Sequence, residues 1–202
     1  IQENNEDNPA LGLRGIRMSL AYQELFIVQL RAILRASIYG EVKILYPMIT
    51  DVEEIIQANS ILEIIKEEME GKNIPFDKDI KIGAMIETPS SAICSDLILK
   101  EVDFISIGTN DLLQYTLAVD RINEKVAHLY TPYNPAIIKI KELIDSGKIG
   151  KLQYIYSNRL NLGKVRTEEN VFWSLAPHDI SIFQYFTDNS FPEKIKASGS
   201  AF

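Results

Sequence analysis

Two acidic residues, Glu87 and Asp111, stand near the ends of short apolar runs, and this placement makes them candidates for chemistry. Residues 82–86 are apolar and are followed by Glu87, while residues 104–107 are apolar and lead through Gly108 to Asp111. Short apolar runs that end abruptly are typical of buried parallel strands. Because ligands bind at the carboxyl ends of such strands, the two carboxylates predict one shared site for a hard cation.

Polar and basic residues near these acids indicate an anionic, phosphorylated ligand. Asn110 can donate its side-chain amide to a phosphate or carboxylate oxygen, and Arg14 and Arg121 can present planar forks of donors to an oxyanion. Mg²⁺ takes one or two carboxylates and fills its other positions with phosphate oxygens and water. A structural alternative stays open, in which Glu87 caps a helix and Asp111 lies in a surface turn, and spacing alone favours it.

Strands and helices that alternate along the chain predict a parallel α/β fold. Strands are predicted at residues 42–46, 82–86 and 104–107, with a loop at 8–17. Helices are predicted at 26–40, at 52–71 after an N-cap at Asp51, and at 91–99, 112–117 and 135–145. This makes three or four βα units, whereas a closed barrel of this kind needs eight.

The pattern changes after Gly150 and predicts a small α+β segment. Residues 152–156 alternate like a half-exposed strand, 173–186 fit a helix, and 193–202 end in a strand-like stretch.

The bulk composition of the chain is that of an ordinary globular protein. Its 202 residues are 46% hydrophobic and 24% charged, and the net charge of −7 argues against a nucleic-acid partner. The single cysteine, Cys94, excludes an internal disulfide and fits a reducing compartment. No apolar run approaches the roughly 20 residues that a membrane span needs. We therefore expect a cytoplasmic protein without a membrane partner.

Residues from about 8 to 140 resemble the phosphoenolpyruvate-binding barrel of enzyme I of the sugar phosphotransferase system. The matching segments are 8–17, 29–37, 46–49, 87–89, 106–121 and 128–136. The run Gly-Thr-Asn-Asp-Leu-Leu-Gln-Tyr-Thr-Leu-Ala-Val-Asp-Arg at 108–121 is very specific. Pyruvate phosphate dikinase and phosphoenolpyruvate synthase share its first half, but Leu-Ala-Val-Asp-Arg favours enzyme I.

The resemblance implies part of a (β/α)8 barrel and a set of roles for its residues. Glu87 and Asp111 would hold Mg²⁺, and Arg14, Asn110 and Arg121 would bind phosphoenolpyruvate. In that family the phosphoryl group passes to a histidine on a separate domain, a phosphocarrier protein is the partner, and the barrel forms a homodimer.

The chain also departs from the enzyme I pattern. The family's further phosphate-binding arginines and its phosphohistidine domain would lie upstream, and its general-acid cysteine lies in a Gly-Met-Cys-Gly-Glu motif that does not occur here. Cys94 is expected to be a small buried residue without that role. Because no start methionine is present, residues 1–8 are expected to be cut from something longer, and the substrate site is expected to be incomplete.

From about residue 138 the chain is similar to the substrate domain of Gfo/Idh/MocA-type sugar dehydrogenases. Segments 141–152, 156–163 and 176–181 carry this resemblance, and His178 would be its catalytic histidine. The dinucleotide fingerprint of that family is absent. The expected domains are thus a partial barrel at 1–147 and a dehydrogenase-like fragment at 148–202, joined as in a chimera.

Three alternatives to phosphoryl transfer remain open at this point. The chain could bind phosphoenolpyruvate without turnover, since the cysteine and the histidine domain are missing. It could be a piece of a sugar oxidoreductase that acts through His178. It could also have no function of its own, because half a barrel leaves open sheet edges.

Overall fold

The computed structural model of the chain describes residues 7–120, 123, 125–131, 134–146, 155–156, 180, 183–184, 191–194 and 196. The chain forms two compact units, Ile1–Tyr156 and Ser157–Phe202. All helices and strands whose bounds are described lie in the first unit.

Four parallel strands form the sheet of the first unit. They are β1 Lys43–Tyr46, β2 Lys81–Ile86, β3 Phe104–Gly108 and β4 Ile155–Tyr156, and they lie side by side in the order β1-β2-β3-β4. Tyr46 pairs with Ala84, and Ile86 pairs with Ile107. Since all neighbours are parallel, the carboxyl ends of the strands lie at one edge of the sheet.

Seven α-helices connect and cover these strands in the described part of the chain. They are α1 Ile16–Ala21, α2 Gln23–Ala36, α3 Val52–Gly71, α4 Pro89–Ile93, α5 Ser95–Ile98, α6 Thr109–Leu117 and α7 Pro135–Asp145. Short 3₁₀ helices follow at Ser37–Tyr39, after α2, and at Ala127–Leu129, before α7.

Helix α3 illustrates how local signals build the core. The Asp51 carboxylate accepts a hydrogen bond from the Glu53 N–H, and the Glu54 carboxylate accepts one from the Asp51 N–H, which forms a capping box. Residues three or four apart then bury one face of the helix, and they are Ile55, Ala58, Leu62, Ile65 and Met69. Helix α3 packs beside α1 and α2, which also contact each other.

The structure confirms four predictions from sequence: the α/β class, the parallel sheet, and the bounds of α3 and of α7. Residues 155–156 add a fourth parallel strand beside β3, where an α+β segment was expected to begin. Whether the sheet belongs to part of a closed barrel, and whether residues 148–202 are a separate domain, stay predictions.

Three local predictions are wrong for identifiable reasons. The loop at 8–17 ends early, because Gly15 adopts φ 57° and starts α1 at Ile16. The helix predicted at 91–99 is two short helices with a half-buried Cys94 between them, since Ser91 and Ser95 donate their hydroxyls to nearby carbonyls.

The third difference concerns α6, which begins at Thr109 and not at residue 112. Asp111 therefore lies in the first turn of a helix, where a negative charge is favoured by the helix dipole. The elements predicted at 173–186 and 193–202 lie mostly outside the described residues. No helix in the described part of the chain is long and apolar enough to span a bilayer.

We expect Leu62→Ala to lower the free energy of unfolding by about 2–5 kcal/mol, because Leu62 is fully buried on the inner face of α3. Ile64→Ala on the same helix is the matched control, since Ile64 is 65% exposed and should change stability by less than about 0.5 kcal/mol. Urea unfolding followed by circular dichroism measures both. Equal losses for the two variants would contradict the assigned face of α3.

Candidate functional site

Glu87 follows β2 directly and turns its carboxylate toward the loop after β1. Its side chain is only 4% exposed, and Oε1 accepts a 2.6 Å hydrogen bond from the Met48 N–H. The next residue, Thr88, is the N-cap of α4, and its hydroxyl donates to the Ile49 carbonyl at 2.7 Å. The interpretation of Glu87 as a helix cap is therefore wrong, because Thr88 has that role.

Asp111 lies after β3 in the first turn of α6 and is half-buried, so it does not occupy a surface turn. Its carboxyl group lies close enough to that of Glu87 to share a hydrogen bond with it. Two carboxyl groups that are far apart in sequence thus meet at the carboxyl edge of neighbouring strands.

Burial raises the pKa of Glu87 from 4.5 to about 7, because the charged form loses its hydration. The Met48 N–H and the Arg14 guanidinium lower this pKa, while the charge of Asp111 and its hydrogen bond to Glu87 raise it. The site therefore holds two acids that repel each other when both are ionised, with one arginine as a nearby positive charge.

Gly108 lets the two strand ends come this close. A Cβ at Gly108 would lie 2.7 Å from the Glu87 Cβ and 2.9 Å from its Oε2. Any side chain at this position would therefore displace the Glu87 carboxylate, since contacts this short do not occur between packed atoms.

Arg14 reaches the site from the loop that precedes α1. Gly15 places that loop against the chain after β1: its φ is 57°, and a Cβ there would lie 2.6 Å from the Met48 Cβ. The Ile16 N–H donates to the Pro47 carbonyl at 3.1 Å, which fixes the approach. Arg14 then donates from Nη1 to the Tyr115 hydroxyl at 3.2 Å.

Asn110 is buried in the first turn of α6, beside Asp111. The Tyr130 hydroxyl donates to the Asn110 backbone carbonyl at 2.9 Å and lies 3.5 Å from its Oδ1. This contact fastens the start of α6 to the chain that follows it.

The structure brings together three of the residues singled out from sequence, namely Arg14, Glu87 and Asp111, and places Asn110 next to them. Arg121 and His178 lie outside the described residues. Sequence reasoning missed Met48, which acts through its backbone N–H and so leaves no side-chain signal. It also missed Tyr115, although Tyr115 follows Asp111 by one helical turn and shares its face of α6.

The donor set fits Mg²⁺. Mg²⁺ commonly takes one or two carboxylates as protein ligands, and a divalent cation would neutralise the charges of Glu87 and Asp111. Within the described ranges, no group of three or more His, Cys, Asp or Glu side chains is arranged to hold a metal ion. A metal at this site would thus rely on oxygens of a bound ligand or of water.

A separate groove of about 410 Å³ lies between α2 and α3, away from this site. Its polar lining consists of Arg31, Arg35, Glu68 and Lys72, and Glu68 pairs with both Arg31 and Lys72. Arg35 and Lys72 lie at the carboxyl ends of their helices, where positive charge stabilises the helix dipole. The groove has a structural explanation and is not a candidate site.

Comparisons with known proteins show the family of this chain. Residues 1–153 match the family described as PEP-utilising enzyme, PEP-binding domain. The chain belongs to this family.

The curated relatives are more particular. The chain is 53% identical over 139 residues to the phosphoenolpyruvate-protein phosphotransferase of Priestia megaterium. This match covers 69% of the chain and 24% of the relative. The chain is 56% identical over 135 residues to the protein of that name from Buchnera aphidicola subsp. Acyrthosiphon pisum, covering 67% and 24%. The Bacillus subtilis protein of that name is 51% identical over 144 residues, covering 71% and 25%.

The chain spans about a quarter of the length of these relatives. The resemblance to enzyme I is thereby confirmed, since the relatives are phosphoenolpyruvate-protein phosphotransferases. These matches give the dehydrogenase resemblance of the tail no support.

We expect the stability of the metal-free chain to fall as the pH rises from about 4.5 to about 7 through the titration of Glu87. In this window the folded chain keeps a proton that the unfolded chain releases, so deprotonation favours unfolding. Glu87→Gln should remove this dependence and raise the free energy of unfolding at pH 8 by about 3 kcal/mol. Urea titrations in EDTA from pH 4.5 to 8 measure the effect.

Glu67→Gln is the control for this experiment, because Glu67 is an exposed acid on α3. Its stability curve should run parallel to that of the unmodified chain. If the stability curve of Glu87→Gln also ran parallel to that of the unmodified chain, the burial of the Glu87 charge would not be the cause of the pH dependence.

Gly108→Ala should destabilise the chain by about 1–3 kcal/mol, because the new methyl group overlaps Glu87. Gly71→Ala is the matched control, since nothing lies within 4 Å of a Cβ there, and it should leave stability equal or higher. Thermal unfolding measures both variants. A Gly108→Ala variant as stable as the control would show that Glu87 does not approach Gly108 as described.

Proposed function

We propose that this chain binds phosphoenolpyruvate together with Mg²⁺ at the edge formed by the ends of β1, β2 and β3. The observation that carries the proposal is the cluster of Glu87, Asp111 and Arg14, in which a buried carboxylate faces a second acid and a guanidinium. Paired acids offer oxygen ligands to a hard cation, and the guanidinium offers donors to an oxyanion.

Each residue has a distinct part in this proposal. Glu87 and Asp111 would hold Mg²⁺, which when bound supplies charge neutralisation for the phosphate and carboxylate oxygens of the ligand. Arg14 binds and orients an anionic group of the ligand. Asn110 adds an amide donor in the first turn of α6, and Arg121 adds a second guanidinium by resemblance to enzyme I.

In the whole protein, the reaction would be transfer of the phosphoryl group from phosphoenolpyruvate to a protein histidine, in the sugar phosphotransferase system. The similarity to phosphoenolpyruvate-protein phosphotransferases supports this step. A phosphocarrier protein as partner, a homodimer, a cytoplasmic location and a place for the parallel sheet in a (β/α)8 barrel belong to the same proposal. Catalysis would come mainly from positioning and charge neutralisation.

Calorimetry with phosphoenolpyruvate, with and without Mg²⁺, tests the proposal on the full chain. We expect heat of binding that depends on Mg²⁺, because the ligand and the acid pair would repel each other without it. Asp111→Asn should weaken Mg²⁺-dependent binding by roughly tenfold or more, since it removes one of two carboxylate ligands.

Asp96→Asn serves as the control, because Asp96 is an exposed acid on α5 away from the site. It should leave the affinity unchanged. No heat with phosphoenolpyruvate, or equal affinity for the unmodified chain and Asp111→Asn, would overturn the assignment. Heat of binding with a nicotinamide cofactor would instead revive the oxidoreductase interpretation.

A further inference from the structure

Tyr115 makes two hydrogen bonds that tie the loop before α1 to helix α6. Its hydroxyl donates to the Ala10 carbonyl through a short bond, and it accepts a 3.2 Å bond from Arg14 Nη1. A phenol has one proton, so donation to Ala10 leaves its lone pairs for the guanidinium. The two bonds are therefore compatible: the Tyr115 hydroxyl is the donor to Ala10 and the acceptor from Arg14.

The group that holds Arg14 is the Tyr115 hydroxyl and not a carboxylate. Among the described residues, Arg14 makes no ion pair within 4.0 Å, whereas Arg31 is bound directly by Glu68. A carboxylate partner would compete with a bound anion for the guanidinium, whereas a phenol orients the guanidinium without adding a negative charge. One hydrogen bond to Tyr115 also leaves most of the five N–H donors of Arg14 for another acceptor.

Tyr115 belongs to the same electrostatic cluster as the candidate metal ligands. Burial raises the pKa of Tyr115, Arg14 lowers it, and Asp111 and Glu87 raise it further. Arg14 in turn lowers the pKa of Glu87. Arg14, Asp111 and Glu87 thus all lie within interaction distance of Tyr115, which is placed there by its position one turn after Asp111 on α6.

We propose that Tyr115 is a positioning residue that holds the Arg14 guanidinium beside Glu87 and Asp111, with donors available for an anionic group. That this anion is phosphoenolpyruvate rests on the proposed function. Without the hydroxyl, the flexible Arg14 side chain and the loop at Ala10 lose their shared anchor. The guanidinium would then have to be ordered by the ligand itself, at a cost in affinity.

Tyr115→Phe is the direct test, because it keeps the ring and removes only the hydroxyl. The rate at which phenylglyoxal modifies Arg14, followed by peptide mass spectrometry, should rise at least threefold. Arg35, which lies on α2 away from the site, is the internal reference and should react at an unchanged rate. The dissociation constant of phosphoenolpyruvate in Mg²⁺ should rise roughly tenfold.

A double-mutant cycle separates positioning from a general structural effect. In an Arg14→Gln background, Tyr115→Phe should leave the affinity for phosphoenolpyruvate unchanged, because its effect passes through Arg14. Tyr39→Phe is the matched control, since Tyr39 is 87% exposed, and it should change neither reactivity nor affinity. A further measurement needs no variant: Arg14 guanidinium resonances of the unmodified chain should show restricted rotation by ¹⁵N NMR.

The outcomes distinguish this proposal from the proposed function. Unchanged Arg14 reactivity in Tyr115→Phe, or freely rotating Arg14 resonances in the unmodified chain, overturns it whatever the ligand. Higher reactivity with unchanged phosphoenolpyruvate affinity also overturns it, because Arg14 would then be held for no purpose in binding. If the unmodified chain binds no phosphoenolpyruvate, the proposed function fails, and higher Arg14 reactivity still supports Tyr115 as the group that holds this guanidinium.

Discussion

The buried carboxylate of Glu87 is the interaction on which the rest of the site depends. A carboxylate that is removed from water must be compensated by hydrogen bonds or by positive charge, and otherwise it takes up a proton. The Met48 N–H and the Arg14 guanidinium supply part of this compensation, and the neighbouring Asp111 works against it. As a result, the pKa of Glu87 is about 7. The negative charge of the ionised carboxylate is only partly compensated, and a bound cation would complete the compensation.

This balance requires backbone segments to approach each other unusually closely. Gly108 brings the end of β3 against Glu87, and Gly15 brings the loop before α1 against Met48. Met48 itself adopts φ 60°, a left-handed conformation that costs a non-glycine residue about 1–2 kcal/mol. Strain of this kind is typical of positions where the surrounding structure holds a functional group in place.

The groups of the site come from segments spread along the chain from Ala10 to Tyr130. All of them lie within the region that matches the PEP-binding domain family, residues 1–153, and within the first compact unit. The proposed site thus lies inside the segment that carries the family resemblance.

Some features of this protein follow from the sequence because they depend on neighbours along the chain. The capping box at Asp51, the apolar face of α3 and the abrupt ends of β2 and β3 are set by residues a few positions apart, and these predictions hold. The break at Cys94 was missed, because it depends on the Ser91 and Ser95 hydroxyls, which donate to nearby carbonyls and compete with backbone hydrogen bonds. The early start of α6 was missed because its N-cap is Gly108, which has no side chain to signal a helix start.

The site is different, because its contacts join residues that are far apart in the chain. Sequence identified Glu87 and Asp111 as acids at strand ends, but by spacing alone a helix cap and a surface turn were the better interpretation. The strand register and the loop after β1 rule out the helix-cap interpretation of Glu87. They place the Met48 N–H within hydrogen-bonding distance of Glu87 Oε1. The sequence by itself thus identified the acidic residues of the site. Their arrangement depends on tertiary packing, because only packing brings backbone and side-chain groups together that are distant in the chain.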